Sequence, residues 1–206
     1  MADRNGVSLA EYIHALFGLL LQGKPRHVLV IGGAGGTLAT MLTRRGIRVT
    51  LVDINPAAFD IARLYFQMPA AVDCRIGDGA AFLRRNRARY DAIVLDAFSE
   101  EKIPRHLLKT AFFRLVKNRL KRGGIFLINI TVLDDEDPVP DGICWALKSV
   151  WRKVRLLDSD GYVDRNAIAM AGAVGGLKRP GLRMKPKTGA RALRKELSQL
   201  AFRALR

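Results

Sequence analysis

Apolar residues at Leu9, Ile13, Leu16, Phe17 and Leu20 recur three and four positions apart, which predicts an amphipathic first helix with one face for packing. The pattern then shortens to runs. His27-Val-Leu-Val-Ile31 is an unbroken apolar stretch ended by Gly32-Gly-Ala-Gly-Gly36, and Leu38, Met41 and Leu42 resume helical spacing up to Gly46. Arg48-Val-Thr-Leu-Val-Asp53 reads as the next strand. Pro56 suits the first turn of a following helix striped by Ile61, Leu64 and Tyr65. The alternation continues with strand 74–76, helix 80–87, strand 92–95, helix 108–120 and strand 125–130.

Five nearly all-apolar strands alternating with helices predict a parallel sheet covered on both faces, joined by right-handed crossovers. After Pro138 to Pro140 comes one more helix, with Ile143, Leu147, Val150 and Trp151. Two strands, 154–157 and 167–174, follow around the polar break Asp158-Ser-Asp-Gly161 with no helix between them, which predicts a terminal antiparallel pair. The expectation is therefore an α/β, doubly wound, mostly parallel seven-stranded sheet of the Rossmann-like methyltransferase kind. One domain covers residues 1–177, with the first helix docked on it.

Composition adds a boundary. Of the 206 residues, 49% are hydrophobic and 26% charged, enough for one core, and the formal charge is +16. From Lys178 onward there are ten Lys or Arg against the single acid Glu196. Residues 178–206 thus form a basic, helix-forming tail, with Leu193, Leu197 and Leu200 on one stripe. It suits the domain surface, nucleic acid or another acidic surface, or solvent, and solvent is favoured. The two cysteines, Cys74 and Cys144, sit in apolar stretches and fit a reducing cytoplasm. The apolar run 16–21 is too short for a membrane span and lacks a cleavage site. The three histidines have no metal spacing, so no metal is expected.

In an open α/β sheet, ligands bind beyond the carboxyl ends of the strands, and that is where the polar residues fall. Gly32, Gly33, Gly35 and Gly36, with Ala34 between them, let the backbone approach a ligand closely. Asp53, followed by Ile54, ends the second strand where a carboxylate can take both hydroxyls of a ribose. Asp78 and Gly79 follow the third strand, where an acid can accept from the amine of adenine and an amide faces the ring. Asp96 ends the fourth strand beside the first, within reach of an incoming amine. The run Asp134-Asp-Glu-Asp137 is read first as capping the next helix.

These residues carry a resemblance. Val28-Leu-Val-Ile-Gly-Gly-Ala-Gly-Gly-Thr-Leu38, Val49-Thr-Leu-Val-Asp53 with Pro56, Ile76-Gly-Asp-Gly-Ala-Ala-Phe-Leu83 and Tyr90-Asp-Ala-Ile-Val-Leu-Asp96 resemble the spermidine synthase-like proteins. So does the approach to the fifth strand, Phe112 to Ile125, and the likeness spans roughly residues 10 to 173. It implies a transferase of polyamine biosynthesis with S-adenosylmethionine or its decarboxylated form as donor and a small acceptor, a polyamine being the family's choice. In that reading Asp53 sits on the ribose, Asp78 and Gly79 at the adenine, and Asp96 is the catalytic acid-base group. A homodimer is an open expectation.

Three departures stand out against the family pattern. Ala34 replaces the acid of the glycine loop, and Ser99 replaces a second Asp, leaving Ser99 and Glu100, with Glu101, as the candidate substrate residues of that loop. About 26 residues precede the first strand, too few for the amino-terminal β domain of true spermidine synthases, so a full polyamine cleft is not expected. Two other functions remain in play: a methyltransferase acting on nucleic acid, and a non-catalytic adapter that retains the nucleoside pocket.

Overall fold

A computed structural model describes residues 2–33, 35–100 and 102–206. Along the chain the elements are α1 (Glu11–Gln22), β1 (His27–Ile31), α2 (Thr37–Thr43), β2 (Arg48–Asp53), α3 (Pro56–Phe66), β3 (Asp73–Ile76), α4 (Gly79–Arg85) and β4 (Tyr90–Leu95). A 3-10 turn (Arg105–Leu108) precedes α5 (Thr110–Arg119), β5 (Leu120–Val132), α6 (Val139–Lys148), β6 (Val154–Asp158), β7 (Arg165–Gly172), α7 (Ala190–Gln199) and β8 (Ala201–Arg203).

The strands form one sheet in the order β3-β2-β1-β4-β5-β7-β6-β8. The first five are parallel, and β7, β6 and β8 join antiparallel. Alternate residues feed opposite faces, as the pleat demands. Val28, Val30, Val94 and Leu127 pack with α1, α2, α3 and α7, while Leu29, Ile31, Ile93 and Phe126 pack with α4, α5 and α6. Asn55 caps α3 by accepting from the Ala57 amide at 3.0 Å with Pro56 in the first turn, and Asp78 caps α4.

The sheet has eight strands where the sequence pattern predicts seven. The extra strand, β8, lies inside the basic tail and is recruited by charge and burial that a local pattern does not encode. Asp158 closes β6 instead of opening a turn, and it is buried to 1% exposure. It accepts from Arg165 Nε at 2.8 Å and from Arg203 Nε of β8 at 3.0 Å, and Arg203 also pairs with Asp141 at 2.7 Å. Burying an acid in this way is tolerable only because both cations are hydrogen-bonded to it. Leu193, Leu197 and Leu200 are buried, the last two in the core cluster on one face of the sheet, and Arg155 stacks on the Phe202 ring. The tail is packed on the domain. Of the two aromatics placed on apolar helix stripes, Trp151 is buried whereas Tyr65 is exposed.

Candidate functional site

The strand order reverses between β1 and β4, so the loops after these two strands diverge and leave a crevice at the carboxyl end of the sheet. The approach is tight. The Asp96 amide donates to Ile31 O at 2.8 Å, and the Gly32 amide to Val52 O at 2.8 Å. Gly32 has φ +75, and a Cβ on it would lie 2.4 Å from Ala97 Cα, so this position admits only glycine. Gly79 is equally enclosed, its missing Cβ falling 2.3 Å from Ile31 Cγ2.

Two clefts of about 430 Å³ each open here. The first runs from Gly32 and Gly33 past Asp53, Ile54, Asp78 and Gly79 to Phe98, Ser99 and His106. The second lies against α1 and is lined by Ser8, Tyr12, Gly35, Gly36, Thr37 and Phe66 among others. Gly33 and Asp96 line both, so Asp96 stands where the two clefts meet.

Asp53 ties the floor of the first cleft together. Its Oδ2 accepts from the Gly33 amide at 3.2 Å and its Oδ1 from the Asn55 amide at 2.9 Å. The carboxylate is thereby oriented with lone pairs left over. Asp78 accepts from the Ala81 amide at 2.8 Å and from His106 Nε2 at 2.6 Å. Burial pushes its carboxyl up, but the Ala81 amide and His106 outweigh it and hold the group below the usual carboxylate value. The capping and site readings of Asp78 are therefore the same geometry, because a cap at the end of β3 faces the cleft.

Asp96 is partly buried and accepts from Asn129 Nδ2 at 2.8 Å. Asn129 lies on β5 at 1% exposure, and its own oxygen accepts from Asn166 Nδ2 of β7 at 3.0 Å. The packed protein around Asp96 pushes its carboxyl from 3.8 up to about 7, against the downward pull of the Asn129 amide. A carboxylate poised there exchanges protons readily near neutrality. Tyr12 of α1 shares the second cleft, and burial, followed by the Asp96 charge, pushes its phenol up.

The structure thus gathers Gly32, Gly33, Gly35, Gly36, Asp53, Ile54, Asp78, Gly79, Asp96 and Ser99 around the two clefts. Ala34 and Glu101 lie outside the described residues. Glu100 sits at φ +50 on the tip of the turn that pairs Ser99 with Lys102, exposed and away from the lining of both clefts. The acids 134–137 serve local structure: Asp137 accepts from the Leu133 and Val139 amides, and Asp135 from Gly161. Among the described residues no group of three or more His, Cys, Asp or Glu converges as a metal site, and no helix is long and apolar enough to cross a membrane.

Sequence reasoning passed over Asn129 and Tyr12. Asn129 did leave a signal, since a lone amide inside the apolar run 125–130 must find a partner. Tyr12 left none, because it reaches the site from a helix read only as a docking element.

Comparison with known proteins places this geometry. The sequence model of the spermine/spermidine synthase domain matches residues 9–135. A probable polyamine aminopropyl transferase of Bifidobacterium longum is 28% identical over 163 residues, covering 78% of this chain and 36% of that protein. Putrescine N-methyltransferase 2 of Nicotiana attenuata is 30% identical over 142 residues, covering 65% of this chain and 34% of that protein. The chain thus spans about a third of the length of these curated relatives. A probable spermidine synthase from Corynebacterium glutamicum superposes with a TM-score of 0.79 at 18% identity, over 100% of this chain and 78% of that one, which establishes a common fold.

Proposed function

Because the chain belongs to the spermine/spermidine synthase family, we propose that it transfers an alkyl group from an S-adenosyl sulfonium donor to a small amine acceptor, the aminopropyl group of the decarboxylated donor being the first choice. The observation that carries this reading is Asp96, a carboxyl with a value of about 7 at the junction of two clefts.

In this reading Asp53 takes the ribose hydroxyls and Asp78 the adenine amine in the first cleft, with Ile54 and Leu107 against the ring. The sulfonium end reaches Asp96, and the acceptor amine approaches from the second cleft. An ammonium has no free pair, so the acceptor must lose a proton before it attacks. Asp96 positions the nitrogen and accepts that proton. The new bond joins nitrogen to the carbon on sulfur, the carbon–sulfur bond breaks, and its electron pair stays on sulfur as a neutral thioether. Asn129, locked by Asn166, keeps the Asp96 carboxylate aimed at the junction.

Methyl transfer is the second reading. It is favoured by the glycine segment 32–36, which holds no acid to receive the ammonium that ends a decarboxylated donor. Calorimetric titration with S-adenosylmethionine, its decarboxylated form and methylthioadenosine, alongside Asp53→Ala, decides between them. Preference for the decarboxylated donor supports aminopropyl transfer, and preference for S-adenosylmethionine supports methyl transfer. No binding of any of the three overturns both. The adapter reading predicts binding without turnover for any diamine.

A further inference from the structure

The amino-terminal end of the parallel strands, opposite the clefts, carries a groove of about 520 Å³. Its floor is Leu120, Gly123, Gly124, Trp151, Gly172 and Ala173, and its walls are Arg89, Lys117, Lys121, Arg122, Arg152 and Lys153. Six cations and no acid line it. All six are exposed, whereas Leu120 and Trp151 are buried at 6% and 7%.

Little of this charge is neutralised. Lys121 pairs with Asp91 at 2.8 Å, and Asp91 is also taken up by the Arg26 and His27 amides at 2.9 and 2.8 Å. Lys117 and Arg89 donate to the carbonyls of Val150 and Leu120, which orients them without cancelling charge. Arg122, Arg152 and Lys153 have no ion pair or side-chain hydrogen bond among the described residues. Like charges gathered this closely repel one another, and a bound anion relieves that cost.

The number of cations selects the anion. One small phosphate would engage two or three of these groups, whereas six cations around one open groove match the repeated charges of a chain. A lipid surface is flat and is held by apolar anchors as well as charge. None of the exposed large apolar side chains of the described residues lines this groove.

We infer that this groove binds the phosphodiester backbone of a nucleic acid strand, without reading its bases. The site is distinct from the one around Asp96. From Tyr90 at the groove end of β4 to Asp96 the strand rises about 20 Å at about 3.3 Å per residue, so the phosphates held here lie at the opposite end of the sheet from Asp96. The groove anchors the protein and leaves the clefts open.

The test is fluorescence anisotropy of a labelled 20-nucleotide single-stranded RNA and the DNA of the same sequence, in rising salt. It is run on the wild type, on Arg122→Glu/Arg152→Glu/Lys153→Glu, and on the tail variant Arg191→Gln/Arg194→Gln/Lys195→Gln. Vesicles containing phosphatidylserine are a separate arm, and thermal melts confirm that each variant folds. The expected result is wild-type binding to RNA, DNA or both that weakens steeply with salt, reduced at least about tenfold with a shallower salt slope in the groove variant and less in the tail variant. Comparing the two strands tells RNA from DNA as the source of the backbone. Wild-type affinity in a folded groove variant, absence of binding at low salt, or binding to vesicles but to neither strand overturns the inference. No donor or acceptor is needed, so the result is independent of the proposed transfer reaction.

Discussion

Asn129 donates its side-chain amide to Asp96 at 2.8 Å while accepting from Asn166 at 3.0 Å, so three strands, β4, β5 and β7, hold one carboxylate. An amide can turn end for end, and the Asn166 contact is what keeps the NH₂ group of Asn129 toward Asp96. The acid is therefore both partly desolvated and aimed.

Asp96→Asn keeps the shape and removes the proton acceptor. Turnover should fall by about 10²–10⁴ while donor affinity, measured by calorimetry, stays within about threefold. In the wild type, kcat/KM should rise as pH climbs through about 7, the value that burial gives Asp96, because only the ionised form takes a proton.

The same shift sets a stability trend. Asp96 titrates near 7 in the fold and near 3.8 in the unfolded chain, so between these values the native state binds more protons. Stability should therefore decline as pH rises from about 4 to 7 and then level off. Asp96→Asn removes this trend and should be more stable than wild type at pH 8 by about 1–2 kcal/mol, a figure discounted for partial exposure and read from denaturant melts.

Asn129→Ala removes the contact that pulls the Asp96 carboxyl down. The midpoint of the pH–rate profile should move above 7, with the rate at pH 7 lowered and largely recovered at pH 9. Asn166→Ala should move it the same way by less. A packing defect alone would lower the rate equally at every pH.

Gly32→Ala puts a methyl group against Ala97 at φ +75. A loss of about 2–4 kcal/mol is expected from strain and overlap together, with weaker donor binding, because the loop that carries Gly33 must shift. A melt matching wild type would overturn the close approach of Gly32 to Ala97.

Arg203→Met strips one cation from buried Asp158. The cost should be about 2–3 kcal/mol, below the full penalty of a broken buried pair because Arg165 remains. Burial raises the Asp158 carboxyl, but the hydrogen bonds of Arg165 and Arg203 hold it below 3.8 in the fold. Its stabilisation is therefore present above that value and is lost as pH falls through the lowered one. Acid melts should lose part of this dependence in the variant, and trypsin should release the tail sooner.

The parallel half of the molecule was legible because its chemistry sits where strands end. Asp53 and Asp96 each close an apolar run and Asp78 follows the third strand, and a chain that alternates strand and helix must bring those ends to one edge. The family likeness rested on these residues, and the match over residues 9–135 bears it out. Asn129 and Tyr12 were missed because one side chain reaches the site from mid-strand and the other from a separate helix. The eighth strand was illegible for a different reason. Three residues carry no periodicity, and Arg203 joins the sheet through Asp158 and Asp141, 45 and 62 positions away.

β5 runs the full length between the two ends of the sheet, with Arg122 in the basic groove and Asn129 behind Asp96. From Ile125 onward it is hydrogen-bonded to β4 on one side and to β7 on the other, whereas Arg122 lies in the irregular stretch between Leu120 and Ile125, ahead of the β7 ladder. A shift of Arg122 can then be absorbed in that stretch, ahead of the paired strand that carries Asn129. Through solvent, the charge of a bound anion is screened within about 10 Å in 0.1 M salt, about half of the ~20 Å between Tyr90 and Asp96. A change of charge in the groove should therefore leave the pH–rate midpoint set by Asp96 in place.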